Sequence, residues 1–353
     1  MNSKKIKILT LIGNNYGGTL QAFALFSTIK QFTNNVTIIN YITTSTNKNY
    51  KDFLKKIVYI RRNIKFNKFR RKYLALTEKT VKPIDDGESI YIVGSDQVWN
   101  QRIAFNDRKN FFLDFVKETR RKSSYAASIG SEVIDDISEN VTTISKLLST
   151  FNYITVREKT AQKLLEGILK KEVNTVLDPT LLLTAEEWNT IVSRKQNSNY
   201  ICVYTLGLNK DYENVINDVS EKLNTKIIDI YYKKRFRNEL SYRRGCGPAE
   251  FVSLIAGSEY VVTNSFHGTI FAILYHKKFI TITRGNMNSR IYDLLELLGL
   301  QERIVSEDEK NQKIQDILNK EIDYQRVELI LEKKRKESIS FLRKIIDIKE
   351  REL

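Results

Sequence analysis

Apolar residues along the first half of the chain come in short, nearly continuous runs. Residues 5–12, 36–40, 89–93, 123–129, 153–156 and 173–177 have this β-type character, and stretches with helical spacing lie between them near 18–32, 137–151 and 158–169. Runs that are apolar on both faces suit strands covered from both sides, and strands alternating with helices predict a parallel sheet wrapped in helices. Asp178-Pro179 interrupts the pattern, a helix is expected over 185–192, and Lys195-Gln196-Asn197-Ser198-Asn199 reads as a loop. A second alternation follows. Strands are predicted at 200–206, 226–231, 260–264 and 279–283, with helices at 211–223, 248–256 and 268–275. A long charged helix over 324–348 closes the chain, with apolar positions at Val327, Ile330, Leu331, Phe341, Leu342, Ile345 and Ile346. The expected architecture is α/β: two Rossmann-like doubly wound domains facing a cleft. Their bounds are 1–185 and 196–320, and a C-terminal helix occupies 321–353.

Composition narrows the class. With 353 residues, 41% hydrophobic and 10% aromatic, the chain suits two globular domains and is not a wholly disordered polymer. No window approaches the ~18 uncharged apolar residues of a membrane span. The run at 8–12 behind Lys4, Lys5 and Lys7 is too short for a signal peptide and ends in Gly13-Asn14-Asn15. Cys202 and Cys246 form neither a disulfide framework nor a metal-ligand pair, so no metal or other cofactor is expected and the chain is placed in the cytoplasm. The 58 Lys and Arg residues outnumber the 42 Asp and Glu for a net charge of +16, which implies an anionic partner. Much of the excess sits in segment 54–74, where nine basic residues and no acidic one fall between Lys55 and Lys72, interleaved with Ile57, Val58, Ile64, Phe66 and Phe69. That pattern fits a basic amphipathic helix on an anionic membrane, with a solvated surface helix burying one apolar stripe as the competing reading. No nucleic-acid reader motif accompanies the charge, so nucleic acid is not expected as a partner.

Ligands of parallel sheets lie beyond the carboxyl ends of the strands, so the residues at those positions carry the candidate chemistry. Gly13-Asn14-Asn15-Tyr16-Gly17-Gly18 after the first strand is a glycine-rich turn opening a helix, suited to an anion but lacking both the dinucleotide fingerprint and a Walker lysine. Gly94-Ser95-Asp96-Gln97-Val98-Trp99-Asn100 groups hydroxyl, carboxylate and amide beside an indole, as sugar recognition or a base over a hydroxyl would require; an Asp cap with a core tryptophan explains it as well. In Asn264-Ser265-Phe266-His267-Gly268, one of only two histidines stands where a strand turns into a helix, placed to act as acid, base or phosphate ligand. Arg157 and Arg290 are candidate forks for carboxylate or phosphate, with ordinary salt bridges as the competing role.

Eight ordered blocks together resemble the polysaccharide pyruvyl transferase family. They are GNNYGGTLQAFAL (13–25), YIVGSDQVWN (91–100), SYAASIG (124–130), TVRE (155–158), LDPTLLL (177–183), GPAEF (247–251), VTNSFHGTIF (262–271) and NSRIYDLL (288–295). The resemblance implies a fold similar to the B-type glycosyltransferases. It also implies transfer of an enolpyruvyl unit from phosphoenolpyruvate to a sugar of a cell-surface polysaccharide, giving a pyruvate ketal. It assigns His267 as acid or phosphate ligand and Asp96 as base, with Gly17, Gly18, Arg157, Ser265 and Arg290 on the donor and Asn14, Ser95, Gln97 and Trp99 on the acceptor. A lipid-linked acceptor would bring the enzyme to the inner face of the plasma membrane, in keeping with the basic segment. The chain departs from the family at Ser265, where characterised relatives carry arginine two residues before the histidine. A nucleotide-sugar glycosyltransferase, or a non-catalytic protein binding anionic glycan or membrane, are the alternatives on the same fold.

Overall fold

A computed structural model of the chain describes residues 4–43, 53–100, 108–130, 141–192, 199–207, 209–230, 235–236, 239, 245–283, 289–306 and 311–347. They divide into two compact units. Met1–Lys48, Arg70–Leu183 and Glu332–Leu353 form the first, Asn49–Phe69 and Thr184–Leu331 the second.

The first unit is built on β1 (Ile6–Leu9), β2 (Val36–Ile38), β3 (Ile90–Val93) and β4 (Lys122–Ser124), in the spatial order β2-β1-β3-β4. Every pairing is parallel, with Ile6 opposite both Val36 and Ile90. Bridges Ser123–Tyr153 and Ala127–Val156 continue the sheet to β5 (Thr155–Val156), which pairs with β6 (Asn174–Thr175). The central strands are apolar at nearly every position because both faces are covered: Ile6, Ile8, Leu9, Tyr91, Ile92 and Val93 have no solvent-exposed surface. The segments expected at 123–129 and 173–177 prove much shorter as strands, because their remaining residues leave the ladder to form the loops described below.

The second unit holds β7 (Ile201–Tyr204), β8 (Ile227–Asp229), β9 (Tyr260–Thr263), β10 (Lys278–Thr283) and β11 (Ile304–Ser306), ordered β11-β10-β9-β7-β8 and again all parallel. Strand β11 and the helices Ser289–Leu298 and Asn311–Asn319 add to the predicted pattern. Three strand residues are too few to leave a period, and both helices bury only one narrow stripe, exemplified by Ile291, Leu295 and Leu298.

The basic segment is one helix, Phe53–Tyr73. Sequence order placed it with the first half, but its larger part packs in the second unit. Lys65 Nζ bridges both oxygens of Glu250 (2.8 and 2.7 Å), a Cβ at Gly245 would lie 3.0 Å from the Val58 carbonyl oxygen, and Phe66 is fully buried. Its last turn belongs to the first unit, where Arg70 donates to the Gly13 carbonyl (3.1 Å) and to Asn14 Oδ1 (3.2 Å). The helix Tyr324–Ile346 also contributes to both units. In the first, Arg335 donates to the Leu181 carbonyl at 2.8 Å and the Ser338 hydroxyl accepts from Leu177 N at 3.0 Å. In the second, its start holds Tyr324 stacked on His276 at 4.5 Å between ring centroids. The apolar positions read along this helix account for it: Val327, Leu331, Leu342 and Ile345 are fully buried.

Asp85 and Asp86 precede β3 and tie it to the neighbouring loops. The Arg121 guanidinium, forked onto Asp85 at 2.7 Å to each oxygen, holds that carboxyl at about 2. Burial pushes Asp86 upward, yet the Ser89 hydroxyl and N–H and the Lys7 ammonium outweigh it and leave Asp86 well below the usual carboxylate range. Both groups have folded values below their unfolded ones, so their stabilisation is fully present above pH ~5 and begins to be lost below ~4, most of the Asp85 contribution being gone by ~2 and that of Asp86 at lower pH still. Urea midpoints should therefore be flat above pH ~5 and drop through this window, and Arg121→Met should flatten the drop. An unchanged acid limb in that variant would remove the Arg121–Asp85 pair as its source.

Candidate functional site

In the order β2-β1-β3-β4 the chain leaves β1 toward one side and β3 toward the other, so the loops after β1 and β3 flank a topological switch point. Asp96 stands there. Gly94 (φ +115°) lets the chain leave β3 where any Cβ would lie 2.3 Å from the Tyr125 carbonyl oxygen, and Asp96 itself adopts φ +69°. The turn is clamped from β1 and the following helix, Tyr16–Lys30. Thr10 Oγ1 donates to the Ser95 carbonyl (3.0 Å) and accepts from Gln21 Nε2 (2.8 Å), while Gln21 Oε1 accepts from Ser95 N (3.2 Å). A side chain at Gly18 would meet Asp96 Oδ2 at 3.1 Å, so the aspartate packs directly on the bare first turn of this helix. A carboxylate thus already stands beside the glycine-rich turn that was expected to hold a donor anion.

Behind Asp96 lies a buried ionic network. Arg157 Nη1 donates to Asp178 Oδ2 (2.7 Å), Nε to Glu158 Oε1 (3.1 Å), and Nη2 reaches Asp96 Oδ1 at 3.5 Å. The side chains of Arg157, Asp178 and Glu158 are 1%, 0% and 4% exposed, against 16% for Asp96. Burial pushes the Arg157 guanidinium down, and the charges of Glu158, Asp178 and Asp96 overcome that and hold it above its ordinary value. Asp178 also accepts from Ser95 Oγ (3.2 Å), Thr180 N (3.0 Å) and Thr180 Oγ1 (2.6 Å), and Ser128 Oγ donates to Glu158. The donor-binding fork expected at Arg157 is therefore occupied within the protein, and the geometry makes it a positioning group.

The proposed acceptor residues divide. Ser95 links Asp178 to the Asp96 backbone, its Oγ accepting from Asp96 N at 2.5 Å. Gln97 Oε1 accepts from Asn100 Nδ2 at 2.5 Å, and Asn14 is held by Arg70. Trp99 corrects the sequence reading: it is 5% exposed, stacks on Phe112 at 5.7 Å, and donates its indole N–H to the Phe111 carbonyl (3.1 Å). It is a core residue, as burial of an indole with a satisfied N–H implies.

The second unit repeats the arrangement, since the order β8-β7-β9-β10 places its switch point between the loops after β7 and β9. Asn264 spans it, accepting from Leu206 N (2.6 Å) and donating to the Leu206 carbonyl (3.4 Å). Ser265 caps the helix Phe266–Leu274, its Oγ accepting from Gly268 N (3.4 Å), and is 4% exposed. A Cβ at Gly268 would lie 2.4 Å from Thr263 Oγ1, so this helix starts pressed against β9 and only glycine fits. His267 occupies the first turn, 7% exposed, its ring edge-on to Phe266 at 5.3 Å. The Arg290 guanidinium lies 5.8 Å from the centre of the Phe266 ring, which brings Ser265, His267 and Arg290 into one neighbourhood. A helix start, an imidazole and a guanidinium together suit an anionic ligand.

Sequence reading missed Thr10, Gln21, Ser128, Glu158 and Asp178. Glu158 and Asp178 fall inside the family blocks, and a carboxylate just after an apolar run was the available signal; Gln21 lies in a wholly buried helical stretch, where a polar residue must have partners.

A model of the family described as polysaccharide pyruvyl transferase matches residues 15–286. No curated protein matches the sequence. Among solved structures, UDP-GlcNAc 2-epimerase from Neisseria meningitidis bound to UDP-GlcNAc superposes with TM-score 0.55 at 9% identity, covering 97% of this chain and 99% of that one. Medicago truncatula UGT71G1 complexed with UDP-glucose gives TM-score 0.51 at 10% identity, with 98% of each chain covered. At these identities the likeness concerns the fold, which is α/β with parallel sheets and similar to the B-type glycosyltransferases.

Proposed function

Because the chain belongs to the polysaccharide pyruvyl transferase family, a family of enzymes acting in polysaccharide synthesis, we propose that it moves the enolpyruvyl unit of phosphoenolpyruvate onto two hydroxyls of one sugar of a cell-surface polysaccharide or its lipid-linked precursor. In this reaction C3 of phosphoenolpyruvate gains a proton, both sugar oxygens bond to C2, and the C2–O bond to phosphate breaks. Of the two hydroxyl protons one balances that gained at C3 and the other leaves with phosphate. The chemistry calls for an acid near C3, a base near the acceptor hydroxyl, and positive groups around carboxylate and phosphate.

The observation that carries this reading is the grouping of His267 and Arg290 at the start of a helix at a switch point. His267 serves as acid or phosphate ligand. Arg290 with the helix start supplies the positive charge that Ser265, in place of the family's arginine, does not. Asp96, the least buried member of the Arg157 network, serves as base toward the acceptor, with Ser95, Gln97 and Asn14 beside its loop.

Phosphate release from phosphoenolpyruvate, with a membrane extract of lipid-linked glycans as acceptor pool, tests the proposal. Acceptor-dependent release that disappears in Asp96→Asn is the expected result. No release with a verified acceptor pool would overturn the donor and move the reading to nucleotide-sugar transfer, for which the Ser265 departure is the supporting observation.

A further inference from the structure

The helix Phe53–Tyr73 carries no acidic residue, and among its described side chains the buried and the exposed ones lie on opposite sides. Val58, Phe66 and Phe69 are buried, so three of the apolar residues interleaved with the charges belong to the core and leave none of their surface for a partner. On the opposite side Ile60, Arg61, Ile64, Asn67, Lys68, Arg71 and Lys72 are all exposed. At 100° per residue these fall within an arc of roughly 140°, so they make one continuous face. Ile60 and Ile64 are 49% and 61% exposed and stand one turn apart near one side of that arc, with Arg61, Lys68 and Lys72 toward the other.

We propose that this face docks the protein on an anionic lipid bilayer, with Ile60 and Ile64 entering the headgroup region and Arg61, Lys68, Arg71 and Lys72 contacting the lipid charges. Charge complementarity selects an anionic surface, and the isoleucines select a bilayer over a dissolved polyanion. A polyanion in water offers nothing apolar to bury against, whereas an interfacial helix places its apolar side chains at the acyl boundary. Each basic group near an anionic leaflet strengthens partitioning roughly fivefold, so four of them give an effect on the order of several hundredfold, which salt weakens. Among the described residues no helix is long and apolar enough to cross a membrane. The lipid-linked acceptor of the proposed reaction would then lie in the same surface, but docking itself requires no turnover.

Co-sedimentation with vesicles of phosphatidylglycerol and phosphatidylcholine tests the surface without reference to activity. The full chain should sediment with mixed vesicles, poorly with phosphatidylcholine alone, and less as salt rises. Ile60→Ser with Ile64→Ser should cut binding about tenfold or more at unchanged charge, and both positions are exposed enough that circular dichroism and urea midpoints should stay at wild type. Arg61→Ser with Lys68→Ser should weaken binding to phosphatidylglycerol vesicles by roughly 25-fold and leave phosphatidylcholine binding little changed. Wild-type binding by the isoleucine pair, or equal binding of both forms to dextran sulfate and to vesicles, would overturn membrane docking in favour of a polyanion site. Absence of vesicle binding by the wild type would overturn it outright, and phosphate release with a detergent-dispersed acceptor would still report separately on catalysis.

Discussion

Replacing His267 by alanine should lower turnover by roughly 10²-fold or more, the scale of lost general acid–base help. The residue sits in the first turn of the helix Phe266–Leu274, where the Ser265 cap, the Gly268 contact with Thr263 and the buried apolar stripe set the fold without the imidazole. Folding should therefore survive, as a retained circular dichroism spectrum and a modest loss in urea midpoint would show. The two roles left open for His267 separate kinetically. If it protonates C3 of phosphoenolpyruvate, kcat falls while the KM for phosphoenolpyruvate moves little. If it holds phosphate, KM rises and His267→Gln, which keeps a donor, recovers part of the loss. Wild-type rates in the alanine variant would remove His267 from the mechanism. Arg290→Met belongs in the same series: its loss should appear mainly in KM, because a guanidinium that gathers charge binds ground state and transition state alike.

The alternation of apolar runs with helical stretches made the parallel α/β character legible, since strands covered on both faces have to be apolar at consecutive positions, as Ile90–Val93 and Ile201–Tyr204 are. The same signal located the strand ends and hence Asp96 and His267. Long-range placement was not legible. Nothing in the order of residues shows that the helix Phe53–Tyr73 exchanges Lys65 for a partner at Glu250, because that pairing depends on tertiary packing alone. Trp99 read as a sugar-recognition residue or as a core tryptophan, and its burial, its stacking on Phe112 and its hydrogen bond to the Phe111 carbonyl distinguish the two. Arg157 looked like a ligand fork for a parallel reason. A buried guanidinium and an anion-binding one need the same residue type, and the difference lies in whether carboxylates reach it from elsewhere in the chain, as Asp96 and Asp178 do. Ser265 is more informative: its side chain caps a helix, a local role that Ser at this position commonly fills and that arginine cannot.

Removing the Arg157 charge should be the most destabilising single change in the first unit. Arg157→Met keeps the volume and apolar stem but leaves Asp96, Glu158 and Asp178 facing one another, two of them nearly without solvent. Breaking a buried pair by deleting one partner costs about 3–5 kcal/mol. Asp178→Asn should cost less, because the amide oxygen still accepts from Thr180 and two carboxylates remain for Arg157. Because the members share partners, the two effects should not add: combining Arg157→Met with Asp178→Asn should be less damaging than the sum of the single changes by about 1–3 kcal/mol. Arg157→Lys should fall between wild type and Met, since one ammonium replaces the charge but cannot serve three carboxylates in three directions. Urea titrations of the wild type and the four variants provide the measurement. A loss below about 1 kcal/mol in Arg157→Met, or simple additivity in the double variant, would mean that the guanidinium does not hold the network together and that Asp96 is positioned instead by the Thr10–Gln21–Ser95 clamp.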